Sequence, residues 1–492
     1  MPGDAWQGYE SPGFFDEMIA GDGRPHAAVA ELAERIGALD RDELTARRAA
    51  AGLDIKSMGI TFTVYSDAGM IDRAWPFDIV PRVIPASQWR RVAAGLAQRV
   101  AALNAFIADI YGEQRVIADG VFPREVLDQS VNFRPECVGM RPAGDIWAHI
   151  CGSDLVRDHN GDFYVLEDNL RVPSGVSYMV ENRMVAKRVF PELFDAHVIG
   201  PVDDYPSELL DALAALSPRP NITPNVALLT PGIYNSAFFE HVWLAGQMGA
   251  ELVQGSDLYV GDDDCVYTRT IYGLRRVDVI YRRVDDLFLD PEVFRADSML
   301  GTPGLMRAWR AGNVALANAP GAGVADDKVV YAFVPEFIRY YLGEAPTLAN
   351  VPTWRCMIEA EREYVLAHLD ELVVKPANES GGYGMLIGPR ATDAEREHFA
   401  ELIRANPRNY IAQPTLALST APTLIDEGLA PRHVDLRPFI VSRPDHPPYV
   451  TTGGLTRVAL REGSLVVNSS QGGGSKDTWI IDDSHTTAEE RV

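Results

Sequence analysis

The spacing of apolar residues predicts two arrangements in the first 200 residues. Residues 1–58 contain a helical apolar pattern over 27–53, and we expect them to form a peripheral N-terminal helical extension. Residues 59–200 mix strands with long amphipathic helices. The elements predicted there are a strand at 59–67, an extended segment at 76–85, a helix over 87–111, a hairpin at 149–169 and a helix over 176–194.

Beyond residue 200 the pattern changes. Residues 201–320 alternate short buried-type strands with helices, which is typical of a doubly wound α/β domain with a parallel sheet. Residues 321–481 begin with a helix predicted over 325–342 and continue as an α+β layout with an antiparallel sheet. The polar segment 482–492 is expected to be a flexible tail. The predicted fold class is therefore α/β together with α+β.

The segment 149–169, HICGSDLVRDHNGDFYVLEDN, is the most informative hairpin. The Asn-Gly pair at 160–161 fits a two-residue type I′ turn, around which residues at equal distance pair across the strands. Asp154 then faces Glu167. Strand alternation places Asn169 on the same side as Glu167.

These two carboxylates repel each other by about 3 kcal/mol at roughly 5 Å in an effective dielectric near 20. A cation between them would remove that repulsion. Two carboxylates and an amide oxygen form the hard oxygen set that suits Mg²⁺ shared with phosphate. The alternative is a solvent-facing acidic hairpin whose repulsion is screened by salt.

Composition narrows the class of protein. The chain has 492 residues, of which 47% are hydrophobic and 23% charged, as in a globular protein with a sizeable core. Its net charge of −24, without a basic cluster, argues against nucleic acid and membrane partners. The four cysteines show no CxxC spacing, and neither a signal peptide nor an 18-residue apolar run is visible, so we expect a cytoplasmic location.

Lysine is rare, because only five of the 45 basic residues are lysine. Lys375 ends the predicted strand ELVVKP and precedes the loop ESGGYGM, which contains Ser380, Gly381, Gly382 and Gly384. A lysine can hold single phosphate oxygens as a point charge, and glycines let backbone N–H groups approach phosphates. The loop lacks the GxxxxGK[ST] pattern, and as an isolated signal it is also compatible with an ordinary turn.

Together, these motifs resemble those of the ATP-grasp ligases. The resemblance implies the following roles: Lys328 (in Asp327-Lys328), Lys375, Ser380, Gly381, Gly382, Gly384 and Gln413 bind ATP; Arg437 and Arg457 contact the transferring phosphoryl or acyl group; and Asp154, Glu167 and Asn169 bind Mg²⁺.

The order of these motifs departs from the usual one, because the acidic set precedes the first lysine. The chain therefore resembles the circularly permuted ATP-grasp type 2 family, with distant similarity to glutathionylspermidine synthetase and glutathione synthetase-like ligases. In this interpretation 59–200 and 321–481 are the two parts of one ATP-grasp domain. Residues 201–320 are the pre-ATP-grasp domain.

The resemblance implies an ATP-dependent carboxylate–amine ligase that acts through an acylphosphate on small-molecule or peptide substrates. The alternatives are a phosphotransferase on the same fold and a non-catalytic ATP-binding module, and protein partners are left open. The pattern also leaves open whether a set of unusual polar residues contacts substrate or core. This set is Asp78, Arg82, Arg134 and Glu136; for Lys476, near Gly472–Gly474, the open alternative is contact with phosphate.

Overall fold

The computed structural model describes residues 4–11, 13–66, 69–378, 384–461, 463–464, 467 and 473–483. The strands are β1 (Thr61–Ser66), β2 (Gly69–Ala74), β3 (Phe77–Pro85), β4 (Ile150–Arg157), β5 (Phe163–Asn169), β6 (Val226–Leu229), β7 (Glu251–Val253), β8 (Leu258–Val260), β9 (Val266–Thr270), β10 (Gly273–Val277), β11 (Val279–Arg282), β12 (Ala315–Ala317), β13 (Ala349–Asn350), β14 (Trp354–Arg355), β15 (Leu372–Pro376), β16 (Leu386–Ile387), β17 (Tyr410–Pro414), β18 (Thr420–Ile425), β19 (Gly428–Arg437), β20 (Phe439–Val441), β21 (Tyr449–Val450), β22 (Leu455–Val458) and β23 (Gly474–Ile481).

The α-helices of the described residues are α1 (Ala30–Gly37), α2 (Arg41–Ser57), α3 (Ala86–Tyr111), α4 (Arg115–Ala118), α5 (Arg124–Asp128), α6 (Val176–Val189), α7 (Pro191–Ala196), α8 (Tyr205–Ala214), α9 (Phe238–Met248), α10 (Leu305–Arg310), α11 (Lys328–Ala332), α12 (Val334–Phe337), α13 (Glu359–Ala367) and α14 (Asp393–Ala405). None of the helices in this part of the chain combines the length and the apolar character that a bilayer crossing requires.

The largest sheet joins distant parts of the chain. Its strands follow the order β13-β5-β4-β19-β22-β23-β3, so the 150–169 hairpin is hydrogen-bonded to strands from beyond residue 428. Apolar residues of α3, such as Leu96 and Leu103, pack on one face with Leu155 and Val165. Helix α6 packs on the opposite face. The hairpin and the C-terminal strands therefore form one layered unit.

Four smaller sheets are present in the described residues: the hairpin β1-β2, the sheet β10-β9-β8 and two four-stranded sheets. In the middle of the chain, β12-β11-β6-β7 are all parallel, which confirms the predicted doubly wound sheet. The order β14-β17-β15-β16 forms a separate antiparallel sheet that carries Lys375 and Gln413.

Several predicted elements differ in their boundaries. The helix predicted over 27–53 is divided into α1 and α2, because Asp40 caps α2 by accepting a hydrogen bond from the Glu43 N–H at 2.8 Å. The helix predicted over 325–342 is divided into short segments, with Pro335 in the first turn of α12. The sheet β10-β9-β8 was not predicted.

The N-terminal segment is not peripheral, contrary to expectation. Glu17 is buried and accepts hydrogen bonds from Arg82 at 2.6 Å, Arg157 at 2.8 Å and Ser419 at 2.7 Å. Residues near the N-terminus therefore contribute a charge to the interior next to the largest sheet.

Candidate nucleotide and metal site

The hairpin pairs Asp154 with Glu167, as predicted, but through a different turn. Asp158 accepts the Gly161 N–H at its carbonyl, and only Gly161 has positive φ in this loop, which excludes the type I′ turn. The loop is one residue longer than expected, so that Val156 faces Tyr164 rather than Val165. A bulge between 154 and 155 then restores the expected pairing.

Two arginines neutralise Asp154. Arg437, the last residue of β19, donates from Nε and Nη2 to the two carboxylate oxygens at 2.5 and 2.8 Å. Arg457 of β22 donates to Oδ2 at 2.6 Å and also pairs with buried Asp435. Burial raises the pKa of Asp154, but the charges of Arg437 and Arg457 outweigh it, so that the pKa lies far below its usual value.

Glu167 lies between two cations from later segments of the chain. Its carboxylate is 3.7 Å from Lys328 Nζ and 3.9 Å from Arg437 Nη2, and about a quarter of the side chain is exposed. Lys328 is the first residue of α11, which Asp327 caps through the Val329 N–H at 2.9 Å. Asp327 itself is buried against Arg408.

The two lysines are brought together by the backbone. The Lys328 N–H donates to the Ala377 carbonyl at 3.1 Å, two residues beyond Lys375. The Lys375 ammonium donates to Gln413 Oε1 at 2.7 Å. Burial lowers the pKa of Lys375 to about 8. The negative charges of Glu167 and Asp154 oppose this lowering, and the positive charge of Lys328 adds to it.

The glycine loop can be placed only in part. Gly384 lies at φ 67°, a conformation that favours glycine, and a Cβ there would meet Pro376 at 3.7 Å. Ser380, Gly381 and Gly382 lie outside the described residues.

Glu167 and Asn169 have side-chain oxygen atoms of the kind that bind Mg²⁺. Asn169 donates from Nδ2 to the Gly152 carbonyl at 3.2 Å and is only partly buried, and it lies two positions from Glu167 on β5. Within the described ranges, no group of three or more His, Cys, Asp or Glu side chains is arranged to hold a metal ion. Mg²⁺ needs only one or two carboxylates when phosphates and water complete its shell, so Glu167 with Asn169 fits this ion.

An apolar patch on the site's flank was missed by the sequence reading. Val156, Val351 and Leu418 form a buried cluster against which Tyr164, Leu166 and Leu416 pack. Close by along the chain, Thr353 accepts a hydrogen bond from Gln413 Nε2 at 3.0 Å. The only sequence signal for this patch was the pair of leucines, Leu416 and Leu418, that follows the predicted strand with Gln413.

The loop after β5 makes contacts that no local sequence pattern indicates. Arg171 pairs with Asp326 at 2.8 Å and with Asp285 of the middle domain at 3.0 Å. The Ser174 carbonyl accepts a long hydrogen bond of 3.4 Å from Arg437 Nη1.

Four of the five polar residues that the sequence left open have buried partners, whereas Glu136 is exposed. Lys476 is fully buried against Asp78 and the Val80 and Pro422 carbonyls. Arg82 pairs with Glu17, as described above. Arg134 lies 3.5 Å from Asp286, and the Glu136 carbonyl accepts from Arg310 at 2.8 Å.

Comparison with known proteins identifies the class. The family model for circularly permuted ATP-grasp type 2 proteins matches residues 81–459. The chain belongs to this family. In agreement, it is 56% identical over 475 residues to an uncharacterized protein of Synechocystis sp., covering 96% of this chain and 98% of that protein.

Two further relatives add detail. A Frankia alni protein named as a candidate glutamate–cysteine ligase is 47% identical over 478 residues, which are 95% of this chain but 54% of that protein. The structure of a glutathione synthetase-like effector from Globodera pallida superposes with a TM-score of 0.60 at 11% identity, over 90% of this chain and 98% of that one. At this identity the likeness concerns the fold alone.

Proposed function

We propose that the protein is an ATP-dependent carboxylate–amine ligase that forms an amide or peptide bond through an acylphosphate. The observation that carries the proposal is the convergence on Glu167 of Lys328, Lys375 and Arg437, which belong to three separate segments. Such a cluster of cations and one partly exposed carboxylate suits a magnesium nucleotide.

The assigned roles follow from charge and position. Lys328 and Lys375 neutralise phosphate oxygens, and Gln413 holds the Lys375 ammonium in place. Arg437 contacts the transferring phosphoryl, with Arg457 as the second candidate. Leu166, with the rest of its apolar patch, offers a surface for the adenine ring.

Glu167 and Asn169 would hold Mg²⁺, which, when bound, screens the charge of the phosphates. Asp154 becomes a third ligand only if Arg437 or Arg457 turns from it towards the phosphates, since both of its oxygens are engaged. Ser380, Gly381, Gly382 and Gly384 would supply backbone donors to the phosphates.

The proposed reaction has two steps, which are phosphorylation of the carboxylate and displacement of phosphate by the amine. A substrate carboxylate oxygen attacks the γ-phosphorus, the bond to the β-phosphate oxygen breaks, and ADP leaves. An amine nitrogen then attacks the acyl carbon, loses a proton and expels phosphate. The protein contributes charge stabilisation and positioning, which are the main sources of catalysis in phosphoryl transfer.

The substrate class is proposed only broadly, as an amino acid or short peptide with a free carboxylate and a small-molecule or peptide amine. A glutamyl acid would agree with the name of the Frankia relative. However, this chain matches only about half of that protein, so the name does not assign the activity to the shared half.

The test is ATP-dependent release of ADP and phosphate in a screen of amino acids and short peptides, with mass spectrometry of the products. We expect an amide product and loss of turnover, by more than about 100-fold, in Glu167→Gln, because the metal carboxylate is gone. Glu363→Gln, an exposed site on α13, is the matched control. A stable phosphorylated product would instead support the phosphotransferase. ATP binding without any turnover would support the non-catalytic module.

A further inference from the structure

The middle domain has a crevice where doubly wound sheets usually bind ligands. In the order β12-β11-β6-β7, the chain leaves β6 for β7 on one side and later reaches β11 on the other. The carboxyl ends of β6 and β11 therefore flank a topological switch point, the usual position of a ligand.

In this protein the crevice is filled by a turn from the ATP-grasp half, Pro173–Ser177. Arg283, which directly follows β11, donates to the Pro173 carbonyl at 2.6 Å and to the Ser174 hydroxyl. Glu240, in the first turn of α9, accepts from the Gly175 N–H at 2.8 Å, the Ser177 N–H at 3.1 Å and the Ser177 hydroxyl at 3.0 Å.

The contact is internal to the protein. Glu240 and Ser177 are fully buried, Arg283 is 4% exposed, and the two charged groups pair at 3.1 Å. The Gly175 and Ser177 donors at the start of α6 are therefore engaged by Glu240 of the middle domain.

The same turn also contacts Arg437. Besides the hydrogen bond from Arg437 to the Ser174 carbonyl, Pro173 and the Arg437 side chain flank Gly152, where a Cβ would lie 3.3 Å from Pro173 and 3.5 Å from Arg437. The guanidinium of Arg437 thus donates two hydrogen bonds to Asp154 and one to this turn.

We propose that Glu240 and Arg283 are positioning residues for phosphoryl transfer: they fix the Pro173–Ser177 turn, and the turn fixes Arg437. The inference rests on the proposed role of Arg437 at the γ-phosphate. The middle domain then contributes to the nucleotide site without contacting the nucleotide.

The test is the ratio of the Kd for MgADP to the Kd for MgATP, measured by calorimetry. A group that positions Arg437 affects only the γ-phosphate, so Glu240→Gln should lower this ratio by about tenfold and leave the MgADP Kd within about twofold. Ser177→Ala, which removes one donor to Glu240, should lower it by about threefold and carries the test if Glu240→Gln does not fold.

Asp278→Asn is the control, because Asp278 is a buried ion-pair residue that directly precedes β11 and bonds Arg219 rather than the turn. It should leave the ratio unchanged. In the double variant Glu240→Gln, Arg437→Ala, the ratio should equal that of Arg437→Ala alone, as expected for one pathway.

The outcomes separate the two proposals. Wild type that binds neither MgATP nor MgADP would overturn the proposed function. Wild type that binds both equally would show that Arg437 makes no net contact with the γ-phosphate, and this would overturn only the positioning role. A wild-type preference that survives in Glu240→Gln or Ser177→Ala would overturn only the positioning role, as would additive losses in the double variant.

Discussion

At the scale of single residues, the site is an arrangement of charges that neutralise one another. The repulsion expected between Asp154 and Glu167 is removed by Arg437, Arg457 and Lys328. These contacts hold the cations where phosphate would later be placed.

Lys375 makes this arrangement sensitive to pH. Its pKa of about 8 means that the ammonium loses its charge above pH 8, whereas an ordinary lysine stays charged. Phosphate favours the protonated form, so the affinity for MgATP should fall by up to about tenfold per pH unit above pH 8. Calorimetric titrations on both sides of pH 8 measure this.

Lys375→Arg is the matched control, because guanidinium stays charged throughout the range. Its affinity should not depend on pH above 8. The same fall in this variant would show that another group titrates.

At the scale of elements, the hairpin carries charged and apolar side chains next to each other. Leu166 lies at the bulge next to Glu167 and joins the apolar patch. If the patch holds adenine, Leu166→Ala should raise the Kd for MgATP and MgADP equally, by about five- to tenfold, because adenine is common to both. Leu274→Ala, at a 57% exposed position of the middle domain, is the control. An effect on MgATP alone would contradict this placement.

The hairpin also shows what a sequence can reveal. Alternation along β5 and turn residues near 160 sufficed to pair Asp154 with Glu167. The alternation of side chains in a strand does not reveal the longer loop or the bulge. The loop shifts the pairing by one residue and the bulge shifts it back, so Asp154 still faces Glu167. The division of the N-terminal helix was signalled, since Asp40 with Glu43 is a capping pattern.

The arginines around Asp154 are a different case. Their motifs were recognised, yet their contacts with Asp154 depend on strand pairing across about 280 residues of chain, which no local pattern specifies. The contacts of the Pro173–Ser177 turn with Arg283 and Glu240 likewise join residues far apart in the sequence, and no local pattern specifies them. Sequence reasoning thus found the reactive groups but not the groups that position them.

At the scale of the whole molecule, buried ionic and polar contacts link the N-terminus to the site. Glu17 pairs with Arg82, and Arg82 donates to the Asp435 carbonyl at 3.0 Å. The Asp435 carboxylate pairs with Arg457, which reaches Asp154. The N-terminal segment therefore supports the same strands that carry the proposed phosphoryl-contacting arginines.

Glu17 should consequently be a major contributor to stability. Burial raises its pKa, but the charges of Arg157 and Arg82 outweigh it and lower the pKa to about 2, from 4.5. This lowering corresponds to roughly 3 kcal/mol of unfolding free energy, present above pH 4.5 and lost as the pH falls towards 2.

Glu17→Gln should therefore lose about 3 kcal/mol in urea unfolding at neutral pH, and its deficit should shrink as the pH falls below 4.5. The exposed Glu397→Gln should change stability by less than about 0.5 kcal/mol. A Glu17→Gln deficit that stays constant down to acid pH would mean that the lost stability comes from packing rather than from the ion pairs.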